Sequence, residues 1–302
     1  MTDTGYSHLA FSDESRHNIG RFRSVAVLTC KKDVAKDLRQ VISQLIYEGD
    51  LKEFKWHKLR QARDRFVALK IIDHSLDNIR SNSIRIDVLI WDIQDSRHLI
   101  DKRDDNLNLQ LMYYHLLRNV MRSRWPNNAV WSIHPDEHSS MDWDKIAEIL
   151  YYKSHEVIQH PSNLFSRNHR DYSLSLKREF GIYTIKQVCS HEEPLSQVAD
   201  LFAGIAAYSY SIFERYLQWE NQHHTQLSLE LGNQKEIILS NSENERFLVL
   251  SHLSQACKRR KLGISYNTTK GLHTHNPSNP LNFWKYKPQS NYDKAPTKNI
   301  KK

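Results

Sequence analysis

The segment PLSQVADLFAGIAAYSY, Pro194 to Tyr210, constrains the fold more than any other stretch of the 302-residue chain. Its apolar residues, from Leu195 and Val198 through Phe202 to Ala207, lie on almost every side of a helical wheel, and Pro194 suits a first helical turn. A helix apolar all round is stable only inside a layered protein that covers it on several sides. Asp200 conflicts with that setting. An ionised carboxylate there is costly unless a cation, a proton or strong donors offset it.

The elements that could surround this helix follow from periodicity. HLAFSD (8–13) alternates like a strand and precedes the β-branched run RFRSVAVLTC (21–30), so the two are expected to form a hairpin. Positions 34–49, 63–79 and 108–125 carry apolar residues at helical spacing, as does WDKIAEILYYKSHEVI (143–158). SIRIDVLIWDI (83–93), NAVWSIHPDE (128–137) and IYTIKQV (182–188) read as strands, and EFKWHKL (53–59) as a short strand or a strand-to-helix junction. A polar stretch runs from His160 to Arg178. Alternating strands and helices predict an α/β domain over 1–216, built on a mixed sheet with flanking helices. A helical extension is expected over 217–264, around a break at Gly232 and Asn233, either covering the core or standing as an appendage, and a basic, loosely ordered tail over 265–302.

Charge supports that division. The net charge is +8, yet from Cys257 onward eleven Lys or Arg face one acid, Asp293, so positions 1–256 hold 32 basic and 34 acidic residues and carry a net charge of −2. A basic arm suits a polyanion held through its phosphates, and Lys258, Arg259, Arg260 and Lys261 are its densest cluster; the alternative is a solubilising tail. No targeting leader or run of 18 apolar residues occurs, which predicts a soluble, cytoplasmic protein. Cys30, Cys189 and Cys257 show neither zinc spacing nor a disulfide pattern and are expected to be small buried hydrophobes. Eight glycines leave little material for phosphate-cradling loops, and no Walker loop, dinucleotide fingerprint or serine elbow is present.

Within this skeleton Asp13 and Asp136 end strands, Glu53 borders the short one and Asp200 lies inside the buried helix, so that all four carboxylates can meet in one crevice. Carboxylates brought together repel, and protons or divalent cations must then sit among them. An oxygen donor set favours Mg²⁺ or Mn²⁺, and two such ions suit phosphodiester hydrolysis. Lys55 beside such a cluster suits a scissile phosphate; the plainer alternative is a salt bridge. Glu53 has its own plain reading, an ion pair with Lys55 or a turn cap. Glu14 is expected on the strand face opposite Asp13. His57, His134 and His138 lie near the acids and are expected at the surface.

D-E-S at 13–15, E-F-K-W at 53–56 and Q-V-A-D-L-F-A-G at 197–204, in that order, resemble a family catalogued as domain of unknown function number thirty-eight hundred, over about residues 7–212. The resemblance implies an RNase-H-like sheet and a metal-dependent nuclease site, with Asp13, Glu53 and Asp200 on the family's motifs and Asp136 on a less distinctive one. Two departures matter. Arg16 stands where the family has glycine, and Asp92 competes with Asp136 as the third acid. A metal-dependent nuclease acting on DNA or RNA is therefore one expectation. A non-catalytic nucleic-acid-binding or protein-interaction module is the other.

Overall fold

The computed structural model describes residues 5–15, 20–95, 105–137, 143, 181–225, 237–266 and 268–288. The helix expected over 143–158, the polar stretch 160–178, Arg16, His138, Gly232, Asn233 and positions 289–302 lie outside the described residues, apart from Trp143.

A hairpin of β1 (His8–Ser15) and β2 (Phe22–Lys31) opens the fold, its strands paired antiparallel with Ser15 opposite Ser24. Helix α1 (Lys32–Glu48) follows, then an extended segment, a 3-10 turn at Trp56–Lys58 and helix α2 (Ala62–Arg80). β3 (Ile84–Asp92) pairs antiparallel with β2 and is buried along its whole length, its apolar residues interrupted only by the ion-paired Arg85 and Asp87 before the strand ends at Asp92. Helix α3 (Asp105–Ser123) leads to β4 (Trp131–Pro135), and β5 (Ile182–Ile185) precedes α4 (Pro194–Ser211). Helices α5 (Phe213–Thr225) and α6 (Asn241–Arg259) and the strands β6 (Ile264–Ser265), β7 (His273–Thr274) and β8 (Leu281–Lys285) complete the described chain.

Six strands form one mixed sheet in the order β5-β4-β1-β2-β3-β8. β4 runs parallel to β1 and to β5, and β8 runs parallel to β3. Alternation along each strand sends Leu9, Phe11, Ala26 and Leu28 to one face and Ala10, Val25 and Val27 to the other. The first face is covered by α4 with α1, α2 and α6 packed around it, the second by α3. The buried helix predicted from the sequence is α4, with every residue from Leu195 to Tyr210 buried. Ser24 Oγ ties it to the sheet by donating to the Ala203 carbonyl at 2.7 Å.

The helical extension covers the core, and the expected tail is corrected. The core does not break at 216: Tyr216 and Trp219 of α5 and Phe247 and Leu253 of α6 belong to the same apolar cluster as Phe202 of α4. Nor is 265–288 a loose tail, because β8 is a sheet strand in which Leu281 and Phe283 are fully buried. The 277–279 backbone is held by a partner distant in sequence. The carbonyls of Pro277, Ser278 and Asn279 accept from the buried Arg85 guanidinium at 3.3, 3.1 and 2.7 Å, and Arg85 in turn pairs with Asp87, which Asn282 also contacts at 3.0 Å. Cys30 and Cys257 are buried free thiols as expected, whereas Cys189 is exposed. Among the described residues no helix is long and apolar enough to cross a membrane.

Candidate active site

The two most distinctive motifs interlock. Gln197 and Asp200 stand three residues apart on one face of α4. Gln197 Oε1 accepts the Phe54 N–H and Asp200 Oδ2 the Trp56 N–H, both at 2.6 Å, while Gln197 Nε2 donates to the Ser190 carbonyl at 2.7 Å. Residues 54 and 56 of an extended segment point their side chains to the same side, and both are buried. Lys55, in extended conformation between them, is turned the other way. Gly204, one turn beyond Asp200, makes room for the indole: a Cβ there would lie 2.1 Å from Trp56 Cγ. Arg246 of α6 holds the same turn from outside, donating to the His57 carbonyl at 3.0 Å with its guanidinium 5.6 Å from the Trp56 ring.

The acids arrive from neighbouring strand ends. Parallel pairing sets Ser12 of β1 against Pro135 of β4, and the Asp136 N–H donates to the Ser12 carbonyl at 2.8 Å, so Asp13 and Asp136 emerge side by side. Lys55 Nζ lies 3.4 Å from Asp13 Oδ2 and 3.2 Å from Asp136 Oδ2. Asp13 Oδ1 also accepts the Glu14 N–H at 2.7 Å.

Burial governs the electrostatics. It raises the Asp13 carboxyl well above the ordinary range, helped by the Asp200 charge and opposed by Lys55. Asp200 is pushed up to about 6 by burial, against the pull of Lys55 and the Trp56 N–H. Burial pulls the Lys55 ammonium down, but Asp13, Asp200 and Asp136 outweigh it and hold it above the lysine range. Two nearly inaccessible carboxylates and a partly exposed third thus share one ammonium, which is short of positive charge when all three are ionised.

The other singled-out residues are placed differently. Glu53 turns to Lys58 Nζ, 2.5 Å away, and that bond holds its carboxyl below the usual range; its charge still raises Asp200. Asp92, the competing third acid, is gripped by Arg21 through Nε at 2.9 Å and Nη2 at 2.8 Å, away from Lys55's two partners. Glu14 accepts from the Tyr113 hydroxyl at 2.6 Å on the α3 face, opposite Asp13 as strand alternation requires. His57 is exposed, as expected, and His134 is partly buried. It stacks on Phe11 at 5.2 Å and bonds Ser132 Oγ at 2.8 Å, and burial, with Arg39 and Lys186, pushes its pKa down to about 4. In the basic cluster Lys258, Arg259 and Lys261 are exposed, while Arg260 pairs with Asp77 at 2.9 Å and Asp73 at 3.3 Å. That cluster stands twelve or more residues beyond Arg246 on α6, roughly 18 Å along the axis from the turn Arg246 holds.

Sequence reasoning missed Arg246 and the hold of Gln197 on the Phe54 backbone. For Gln197 a signal existed, since its three-residue spacing from Asp200 puts both on one helix face. None existed for Arg246, which reaches the site only through tertiary packing.

The carboxylates of Asp13, Asp136 and Asp200 offer oxygen donors only, and their excess of negative charge suits a hard divalent cation. The chemistry of the donors fits such an ion. Among the described residues, however, no three His, Cys, Asp or Glu side chains converge as a ready metal cage, and the Lys55 ammonium lies between Asp13 and Asp136.

No family model matches the chain. Two proteins of Methanothermobacter thermautotrophicus are similar to it over nearly their full length. "Uncharacterized protein ORF2'" is 37% identical over 299 residues, covering 95% of this chain and 96% of its own. "Uncharacterized protein ORF2" is 35% identical over 304 residues, covering 98% of this chain and 100% of its own.

Proposed function

The chain belongs to the family of ORF2 and ORF2′, and we propose that it is a metal-dependent nuclease that hydrolyses phosphodiester bonds of DNA or RNA in the cytoplasm. One observation carries this reading: Asp13, Asp136 and Asp200, from two adjacent parallel strands and the buried helix, gather around Lys55. Three mutually antiparallel strands, β1 to β3, extended by parallel strands and with helices on both faces, support the RNase-H-like reading of the sheet.

Asp13, Asp136 and Asp200 would hold Mg²⁺ or Mn²⁺, with Glu53 at the margin as a fourth carboxylate. The chemistry supplied there would be activation of water and stabilisation of the leaving oxygen. Lys55 binds a non-bridging phosphate oxygen and offsets the charge that develops in the transition state. Gln197 and the Asp200 carboxylate hold the 54–56 backbone so that Lys55 keeps its aim. Arg246 steadies the following turn.

A second reading, a non-catalytic nucleic-acid-binding module, is favoured by one observation: Lys55 already bridges two of the acids. The two readings separate in one experiment. Wild type and Asp200→Asn are incubated with labelled single-stranded DNA, duplex DNA, RNA and an RNA–DNA hybrid in EDTA, Mg²⁺ or Mn²⁺. The nuclease reading expects metal-dependent cleavage by wild type alone. Equal behaviour of the two proteins on every substrate refutes it.

A further inference from the structure

Asp92 ends β3 at the rim of the sheet that carries the acids, because β3 runs antiparallel to β2 and so ends beside the end of β1. Arg21 holds it through two hydrogen bonds, and Lys285 Nζ stands 3.8 Å from its Oδ2. Two cations therefore share the Asp92 carboxylate, and the Asp95 charge also acts on Arg21. The acid lies beneath, its side chain 4% exposed, while the cationic side chains above it are 53% (Arg21) and 31% (Lys285) exposed.

Aromatic rings hold these cations in place. The Arg21 guanidinium is 5.0 Å from the Phe22 ring, and Lys285 Nζ is 5.2 Å from that ring and 5.7 Å from Tyr210. Asp92 uses two of the five N–H donors of Arg21, so the others remain for an external anion.

Strand register relates this pair to the acids. Asp13 stands opposite Ala26, Ser24 opposite Ile90, and Ile90 opposite Lys285. Lys285 is thus three strand spacings across and two residues along from Asp13, roughly 16 Å away. β8 runs parallel to β3 and delivers the chain to this rim, from which Lys287 and the basic positions 294, 298, 301 and 302 follow in sequence.

We propose that Arg21 and Lys285 bind phosphates of a single-stranded nucleic acid whose scissile phosphate lies at Asp13, Asp136 and Lys55, an assignment that rests on the nuclease reading. A separation of about 16 Å corresponds to roughly five nucleotides at the 3.4 Å rise of a stacked strand. The acids are recessed, with Asp13 5% and Asp200 7% exposed. A single strand bends its backbone into such a recess, whereas a duplex keeps its phosphates on a stiff cylinder. Fixed cations beside a recessed site are the means by which single-strand channels track a backbone.

The test is fluorescence anisotropy with labelled single-stranded oligonucleotides of 2 to 12 nucleotides and a 12-base-pair duplex, in Ca²⁺, over a salt series. Arg21→Gln/Lys285→Gln removes both cations, and Arg21→Gln/Lys285→Gln/Asp92→Asn also neutralises the acid that would otherwise be left buried. Both variants should bind single strands roughly tenfold more weakly at low salt, with the salt slope reduced by about 1.4, which is 0.7 per phosphate contact. Affinity should rise most steeply near five nucleotides. Unchanged affinity in the triple variant, tighter binding of the duplex, or no binding of any oligonucleotide by wild type overturns the assignment. Cleavage by wild type and Asp200→Asn is scored in parallel. Cleavage that is lost in Asp200→Asn, together with unchanged affinity of the triple variant, retains the nuclease and rejects the rim. Weakened binding with no Asp200-dependent cleavage does the reverse.

Discussion

Asp200 has two compensations, and neither is a neighbour in sequence. The Trp56 N–H donates to it, and the Lys55 charge acts on it across the crevice. Its carboxyl is still pushed up to about 6 from 3.8, so the folded protein retains a proton that the unfolded chain releases at lower pH. The penalty is absent below about pH 4 and grows as pH rises toward about 6. Asp200→Asn should therefore gain stability over wild type as pH rises through this window in EDTA. Thermal melts from pH 4 to 7 test it, and a constant difference between the proteins contradicts the assignment. At Gln197 the expected effect is opposite in sign. Gln197→Leu leaves the buried Phe54 N–H without an acceptor and should cost about 1–3 kcal/mol in denaturant unfolding. The sequence pointed to Asp200 because a lone acid in an apolar helix is conspicuous. It could not point to the Phe54 and Trp56 donors, since backbone groups carry no residue signature.

Among the elements, α4 was the most legible, because apolarity on every side admits few settings. The hairpin and β3 were legible for a similar reason, strand periodicity being visible in a single segment. The junction at 53–59 was legible only as an ambiguity: it is extended to Lys55 and then turns, because side chains of α4, not a neighbouring strand, take its N–H groups. Gly204 belongs to this contact between elements. Gly204→Ala forces its methyl into the buried Trp56 indole and should destabilise the fold by about 1–3 kcal/mol, lowering the melting temperature. A melting temperature equal to wild type would show that α4 and the 54–56 segment can separate without cost. The choice between Asp136 and Asp92 was also undecidable from single elements. Both acids end strands, and only the parallel pairing of β4 with β1 brings Asp136 beside Asp13.

For the whole molecule the main correction concerns the last described stretch. Arg85 and Asp87 form a buried ion pair whose remaining donors are satisfied by the 277–279 carbonyls, and β8 closes the sheet beside them. Deleting 273–302 should therefore unfold the protein instead of trimming it, and Asp87→Ala alone should cost about 3–5 kcal/mol by leaving the Arg85 charge buried without its partner. Circular dichroism of the deletion variant and denaturant titration of Asp87→Ala check both; native-like spectra and an unchanged midpoint would contradict this account. By itself the sequence determined the α/β character, the buried helix, most of the element order and the identity of the unusual acids. Those follow from local periodicity and from the cost of burying charge, which act within a segment. Tertiary structure alone decided strand order and register, and with them which acids share Lys55 and which is neutralised by Arg21. It also decided that a basic, polar stretch becomes sheet, because its hydrogen-bond partners lie nearly two hundred residues away and no local pattern encodes them.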